Sequence, residues 1–403
     1  MISSEFAPNE GRGDAILAFG LFFQPWKWRR GKEMNNLKRR LKSRFFTSDC
    51  HISFFLSARG ALYQYIKTLS FPAETEVLVS GFTPANCLLP ILEHNLKPVY
   101  VDIHEDDFSM DIQDLEKKYS PKAKFLILRH PFGIVPKDRK KILAFAKEKK
   151  LTILEDVTQG FDAALFKQKR FTTTVLMSFS RFAAISSVFG GAIITRGKKN
   201  AEIMRDVEKS IPNASFWMIL QIIIYKIGSV VIKKTYNIYI GKLLYFMIKQ
   251  FNLIPPAMTR KEMKGQFDSL YLKTYPNICG IFLMKQLDRF NDVLLKRKRS
   301  VLSYNKKVSN SPIHDSALTF FPLITPNPLP LIKKLKQYNI SLEMEQFTLQ
   351  NGQINHHLFG YKPNRCPKCE QQIPKLVKLP TNVSKNESQK LITTIKKVLH
   401  EKK

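Results

Sequence analysis

The chain has 403 residues, of which 44% are hydrophobic and 24% charged, and a formal net charge of +32. That length and composition exclude a disordered or low-complexity chain and allow two domains, each with a buried core. Five sparsely spaced cysteines make no disulfide framework, and the basic balance points either to solvated basic faces or to an anionic partner; no nucleic-acid motif accompanies it.

In chain order, the apolar run 15–23 follows Glu5, Glu10 and Asp14 rather than a basic segment. It is therefore not read as a secretory signal, and a cytoplasmic chain is expected. Residues 1–45 read as an N-terminal arm. Short apolar runs at 76–80, 98–102, 124–130, 151–156, 175–180 and 191–195 read as strands, with helices at 86–94 and 137–149 between them. Strands alternating with helices predict an α/β domain over 46–270 with a mostly parallel sheet. One long helix is expected over 281–308, where Leu283, Leu287, Phe290, Leu294 and Leu295 recur at helical spacing. A smaller α+β domain over 271–403 would end in a basic amphipathic helix from about Asn386.

An insertion at about 210–262 departs from this pattern. Residues 214–250 are strongly apolar, contain Lys226, Lys233, Lys234, Lys242 and Lys249, and carry no acid. A membrane-spanning helix needs about 18 or more apolar residues, and Lys226 interrupts the run early. Helices lying in an anionic membrane surface, with lysines reaching headgroups, fit this composition. So does burial against the rest of the protein or a partner subunit.

Ligands in open α/β sheets sit at the carboxyl ends of the strands, which singles out Asp156, although a strand-end aspartate also serves as a turn or helix cap. Several short segments recur around it in order. They are Ser57-Ala58-Arg59-Gly60, Ser80-Gly81-Phe82-Thr83-Pro84, His130-Pro131-Phe132-Gly133, Glu155-Asp156-Val157-Thr158-Gln159, Ser178-Phe179-Ser180 and Gly190-Gly191-Ala192. The order and spacing resemble the DegT/DnrJ/StrS family of pyridoxal-phosphate (PLP) dependent sugar aminotransferases, of fold type I. Cys366-Pro367 through Leu379-Pro380 extends the likeness. A zinc reading of Cys366 and Cys369 lacks a second ligand pair, so no metal is expected.

The resemblance implies a fold type I PLP transferase, a homodimer, and amino transfer from an amino acid to a keto-sugar, with nucleotide- and lipid-linked sugars among the candidates. It implies Asp156 on the cofactor ring nitrogen, Gln159 on the ring oxygen, Ser178 with the Arg59-Gly60 turn on the phosphate, and His130 in the substrate pocket. A strand-end structural histidine is an equal reading of His130. The family's cofactor-anchoring lysine falls five residues after Ser178, on Ala183, and residues 170–197 contain no lysine. The cofactor, PLP or its amine form PMP, would then be held non-covalently if bound. A non-catalytic descendant, a lysine-to-alanine variant and an unusual base all fit this substitution. The rival to a compromised enzyme is a binding or scaffold protein at a membrane surface.

Overall fold

In a computed structural model, the structure describes residues 1–4, 6–167, 173–250, 253, 256–309, 316–345, 348–352 and 354–400. Seven strands form the main sheet: β1 (Cys50–Phe55), β2 (Glu76–Ser80), β3 (Lys97–Val101), β4 (Ala123–Arg129), β5 (Thr152–Asp156), β6 (Thr174–Ser178) and β7 (Gly191–Arg196). Their spatial order is β1-β7-β6-β5-β4-β2-β3. The strands from β2 to β6 run parallel, and β7 is antiparallel to both β6 and β1. Each strand expected from the sequence lies within two residues of its anticipated limits. Val77, Leu78, Leu126, Leu128 and Leu154 are fully buried, as parallel strands covered on both faces require.

A second, three-stranded antiparallel sheet consists of β8 (Phe320–Ile324), β9 (Glu343–Met344) and β10 (Leu376–Pro380), in the order β9-β10-β8. The N-terminus is tied to this end of the chain, because Ile2–Ser3 pairs in parallel with Ile340–Ser341.

The helices that matter for function are α1 (Arg12–Phe22), α2 (Ala58–Leu69), α3 (Phe216–Thr235), α4 (Ile240–Gln250), α5 (Asn277–Asp288) and α6 (Phe290–Lys307). The single helix expected over 281–308 is thus two helices, broken at Arg289. That residue leaves helical geometry (φ −103°, ψ 9°), and its guanidinium bonds Asn9 O at 2.7 Å and the Asp14 carboxylate. Tertiary hydrogen bonds to the arm outweigh the continuous helical pattern there.

By length and composition, 216–238 is apolar enough to cross a membrane, but 44% of its apolar window is buried inside the protein. Met218, Ile219, Ile222, Ile223 and Ile232 face the core, whereas Phe216, Trp217 and Val231 are exposed. Of the two placements the composition allowed for the insertion's lysines, burial holds at two positions. Lys226 is completely buried, with Nζ 2.6 Å from Glu10 Oε2. Lys233 donates to Ala7 O, and burial lowers its pKa to about 8. Both lysines fasten the insertion to the N-terminal arm.

Candidate functional site

A cavity of about 190 Å³ opens at the carboxyl ends of β4, β5 and β6. Its wall includes the first turn of α2 (Ser57, Ala58, Arg59), Arg129, Gln159, Ser178, the stretch Ser180–Phe182 and Gly190. Ser57 caps α2, its Oγ accepting from Gly60 N at 3.0 Å. The close approach of α2 to β7 depends on glycine: a Cβ on Gly191 would lie 2.4 Å from the Ala58 backbone. Gly60 is fixed by packing as well, since a Cβ there would come 2.5 Å from Tyr271 O. The loop between β6 and β7 bends through Val188 at φ +75°, a genuine outlier for a β-branched residue. Val188 lines the cavity.

Adjacent parallel strands bring Arg129 and Asp156 into register. Arg129 Nη1 lies 2.7 Å from Asp156 Oδ2, and the two side chains are 3% and 2% exposed. Asp156 Oδ1 accepts from Thr158 N at 2.9 Å. Arg129 itself lines the cavity, so the carboxylate expected to meet a cofactor ring is covered by a guanidinium.

Strand alternation places the neighbouring residues on the opposite face of the sheet. There Glu155 accepts from His130 at 2.9 Å and from Arg139 at 2.7 and 2.8 Å. Burial alone would raise the Glu155 pKa, but these bonds outweigh it and hold the carboxyl down at about 2. His130 is fully buried and is not part of the cavity wall. Of the two readings of His130, this position supports the structural one, because it sits on the far face together with Glu155.

Of the other residues singled out from the sequence, Gln159 and Ser178 line the cavity. The Gln159 side-chain oxygen accepts from Phe132 N at 3.0 Å, and Ser178 Oγ accepts from Ser180 N at 3.2 Å. Arg59 also lines it, but its guanidinium is bound to Glu262 and to Ala257 O and lies 4.1 Å from the centre of the Tyr271 ring. Burial would lower the Arg59 pKa; Glu262 overrides that and raises it. Ala183 is buried, with its carbonyl accepting from Asn9 Nδ2 at 2.7 Å. The adjacent Arg181 and Phe182 form part of the wall.

Sequence reasoning missed Arg129, Arg181, Phe320, Glu343, Glu345 and Lys378, all of which line the cavity. Arg129 was recoverable, because strand period two puts it on the same face as Asp156. Lys378 signals itself only as a charge inside the apolar strand β10. Among the described residues it is the one lysine in the wall, paired with Glu343 at 3.2 Å and Glu345 at 3.7 Å. Cys366 and Cys369 are buried beneath Gly81.

The model of the DegT/DnrJ/EryC1/StrS aminotransferase family matches residues 22–216. The uncharacterized protein MJ1066 of Methanocaldococcus jannaschii is 22% identical over 86% of this chain and 85% of its own. The GDP-perosamine synthase of Escherichia coli O157:H7 is 26% identical over 38% of this chain and 43% of its own. Among solved structures, the PMP form of a sugar aminotransferase described as putative, Spr1654 from Streptococcus pneumoniae, superposes with a TM-score of 0.72. It is 17% identical and covers 98% of this chain and 99% of its own. The fold is that of the PLP-dependent fold type I aminotransferases.

Proposed function

Because residues 22–216 belong to the DegT/DnrJ/EryC1/StrS aminotransferase family, we propose that the chain is a sugar-aminotransferase-type protein that holds PLP or PMP without a covalent bond. Family members use these cofactors, and one end of the cavity suits the phosphate. The first turn of α2 opens onto it with Ser178 and Ser180 opposite, and helix N-termini favour anions. The feature that carries the reading is Ala183, which the resemblance puts where the family has its lysine, in a stretch, 170–197, without any lysine. When bound, the cofactor supplies an electron sink for chemistry next to an amino group.

What this chain's residues do toward that chemistry is limited. Ser57 and Ser178 orient a phosphate, and Gln159 is fixed through Phe132 N. Arg129 neutralises Asp156, which weakens its hold on a protonated ring nitrogen. Lys378 has a raised pKa from Glu343 and Glu345, which outweigh its burial, so it stays protonated and is a poor base. Loss of a positioned general base costs about 10²–10⁴ in rate, and transamination of a keto-sugar by an amino-acid donor is correspondingly slow or absent. An absorbance titration with PLP and then PMP tests this. Saturable binding without the shifted band of a lysine adduct is expected, and no binding of either form would overturn the reading.

A second reading concerns partners. Ile16, Phe19, Phe23 and Trp26 at α1, Phe216 and Trp217 on α3, and Leu243 and Phe246 on α4 are all exposed. An apolar surface of that extent marks an interaction site. Because the acid-free, lysine-bearing stretch 214–250 supplies part of it, we assign it to an anionic membrane surface at the inner face of the membrane. Sedimentation with phosphatidylserine vesicles tests this. Sedimentation of the native chain but not of a Phe19→Ser/Trp217→Ser/Phe246→Ser variant is expected. Equal behaviour of the two, or a purely dimeric protein that ignores vesicles, overturns the assignment in favour of a homodimer interface.

A further inference from the structure

The second sheet contributes part of the cavity lining, and its charges have no ligand role in the reading above. In the antiparallel register Lys378 faces Glu343 across β9 and β10, and Pro380 faces Phe320 across β10 and β8. Strand period two then gathers Phe320, Lys378, Glu343 and Glu345 on one face, and all four line the cavity. The Lys378 ammonium sits 3.2 Å from Glu343 Oε2, 3.7 Å from Glu345 Oε2 and 5.6 Å from the Phe320 ring centre.

One ammonium thus faces two carboxylates. Glu345 is 4% exposed, and its Oε2 has no hydrogen-bond partner among the described residues. At 3.7 Å from Lys378 it lies beyond hydrogen-bonding range. A buried carboxylate oxygen without a donor is costly, and native structures leave few such atoms unexplained. Arg129 and Arg181 also line the cavity, and Arg129 Nε has no hydrogen-bond partner among the described residues. The lining therefore includes a buried acceptor and a buried donor that lack hydrogen-bond partners among the described residues.

We infer that Glu345, with Glu343 and Lys378, forms a subsite for a protonated amine on a ligand whose apolar face lies against Phe320 and whose anionic group faces the arginines. The inference rests on the reading of the cavity as the ligand site. An ammonium supplies what Glu345 Oε2 lacks, a donor within hydrogen-bonding range, and charge-assisted hydrogen bonds are roughly twice as strong as neutral ones. Lys378 keeps the two carboxylates from repelling each other when the site is empty.

Two probes that differ at one carbon test this by calorimetry on the full chain at neutral pH: glucosamine 6-phosphate and glucose 6-phosphate. The amine probe is expected to bind about tenfold tighter. Glu345→Gln should bring the ratio to within about twofold, while Lys378→Gln should raise it, since a competing cation is gone. Thermal melts confirm that each variant is folded; if one is not, Glu343→Gln replaces it and must also lower the ratio. Equal binding of the probes, or a preference that survives Glu345→Gln, overturns the subsite. So does failure of both sugars to bind when PMP does, and in that case the cavity reading stands. If PMP also fails, both readings fall.

Discussion

Replacing Arg129 with methionine separates the two roles of the Arg129–Asp156 pair. In the native chain the pair is closed at 2.7 Å with both side chains almost fully buried, and Thr158 N is the other donor to Asp156. Methionine fills most of the arginine volume but leaves a buried carboxylate with one backbone hydrogen bond. Breaking a buried pair from one side costs about 3–5 kcal/mol, so Arg129→Met should lose about that much stability in a urea titration. The double variant Arg129→Met/Asp156→Leu should recover most of the loss, since replacing both partners is often neutral. The freed Asp156 is then available to a protonated ring nitrogen, and a charged hydrogen bond is worth about 1.5–3 kcal/mol. PMP should therefore bind Arg129→Met at least about tenfold tighter than it binds the native chain. A loss under about 1 kcal/mol together with unchanged PMP affinity would refute the reasoning, because Arg129 would then neither compensate nor compete for Asp156.

Other consequences follow from the same contacts. Lys226→Met leaves Glu10, 1% exposed, with only the Ser186 hydroxyl at 3.2 Å as a side-chain partner among the described residues. It should cost about 3–5 kcal/mol, largely restored by adding Glu10→Gln, as read by urea unfolding. Glu155 has its pKa lowered from 4.5 to about 2, so its stabilisation is present above its unfolded value and lost as pH falls from about 4.5 through 2. The loss should be on the order of 3 kcal/mol, and Glu155→Gln should abolish that part of the pH slope in denaturation curves. Gly60→Ala places a methyl 2.5 Å from Tyr271 O and should cost about 1–3 kcal/mol by overpacking, seen as a lower unfolding midpoint.

The sheet was legible in the sequence because its strands are apolar runs punctuated by turns, and that local signal survives packing. Gln159 and Ser178 line the cavity, and each ends a strand or follows one closely, where the topology puts ligands; Asp156 ends a strand too, but Arg129 covers it. The two readings of His130 could not be separated in the sequence for a simple reason: a one-residue step along a strand reverses the face, and the step from Arg129 to His130 decides which residue meets the cavity. The wall formed by Phe320, Glu343, Glu345 and Lys378 could not be read locally. It is assembled from three strands far apart in the chain, and only their register brings them together. The break at Arg289 was hidden for a related reason, since its partners Asn9 and Asp14 lie some 280 and 275 residues away in sequence.

The most direct test of a cofactor held without a covalent anchor is borohydride reduction of the PLP-loaded full chain followed by intact-mass measurement, run in parallel on Ala183→Lys. The native chain should keep its own mass although PLP saturates it, while Ala183→Lys should gain one reduced cofactor. A native chain that gains that mass at a defined site would contradict the account, because another lysine would then be doing the work assigned to the missing one.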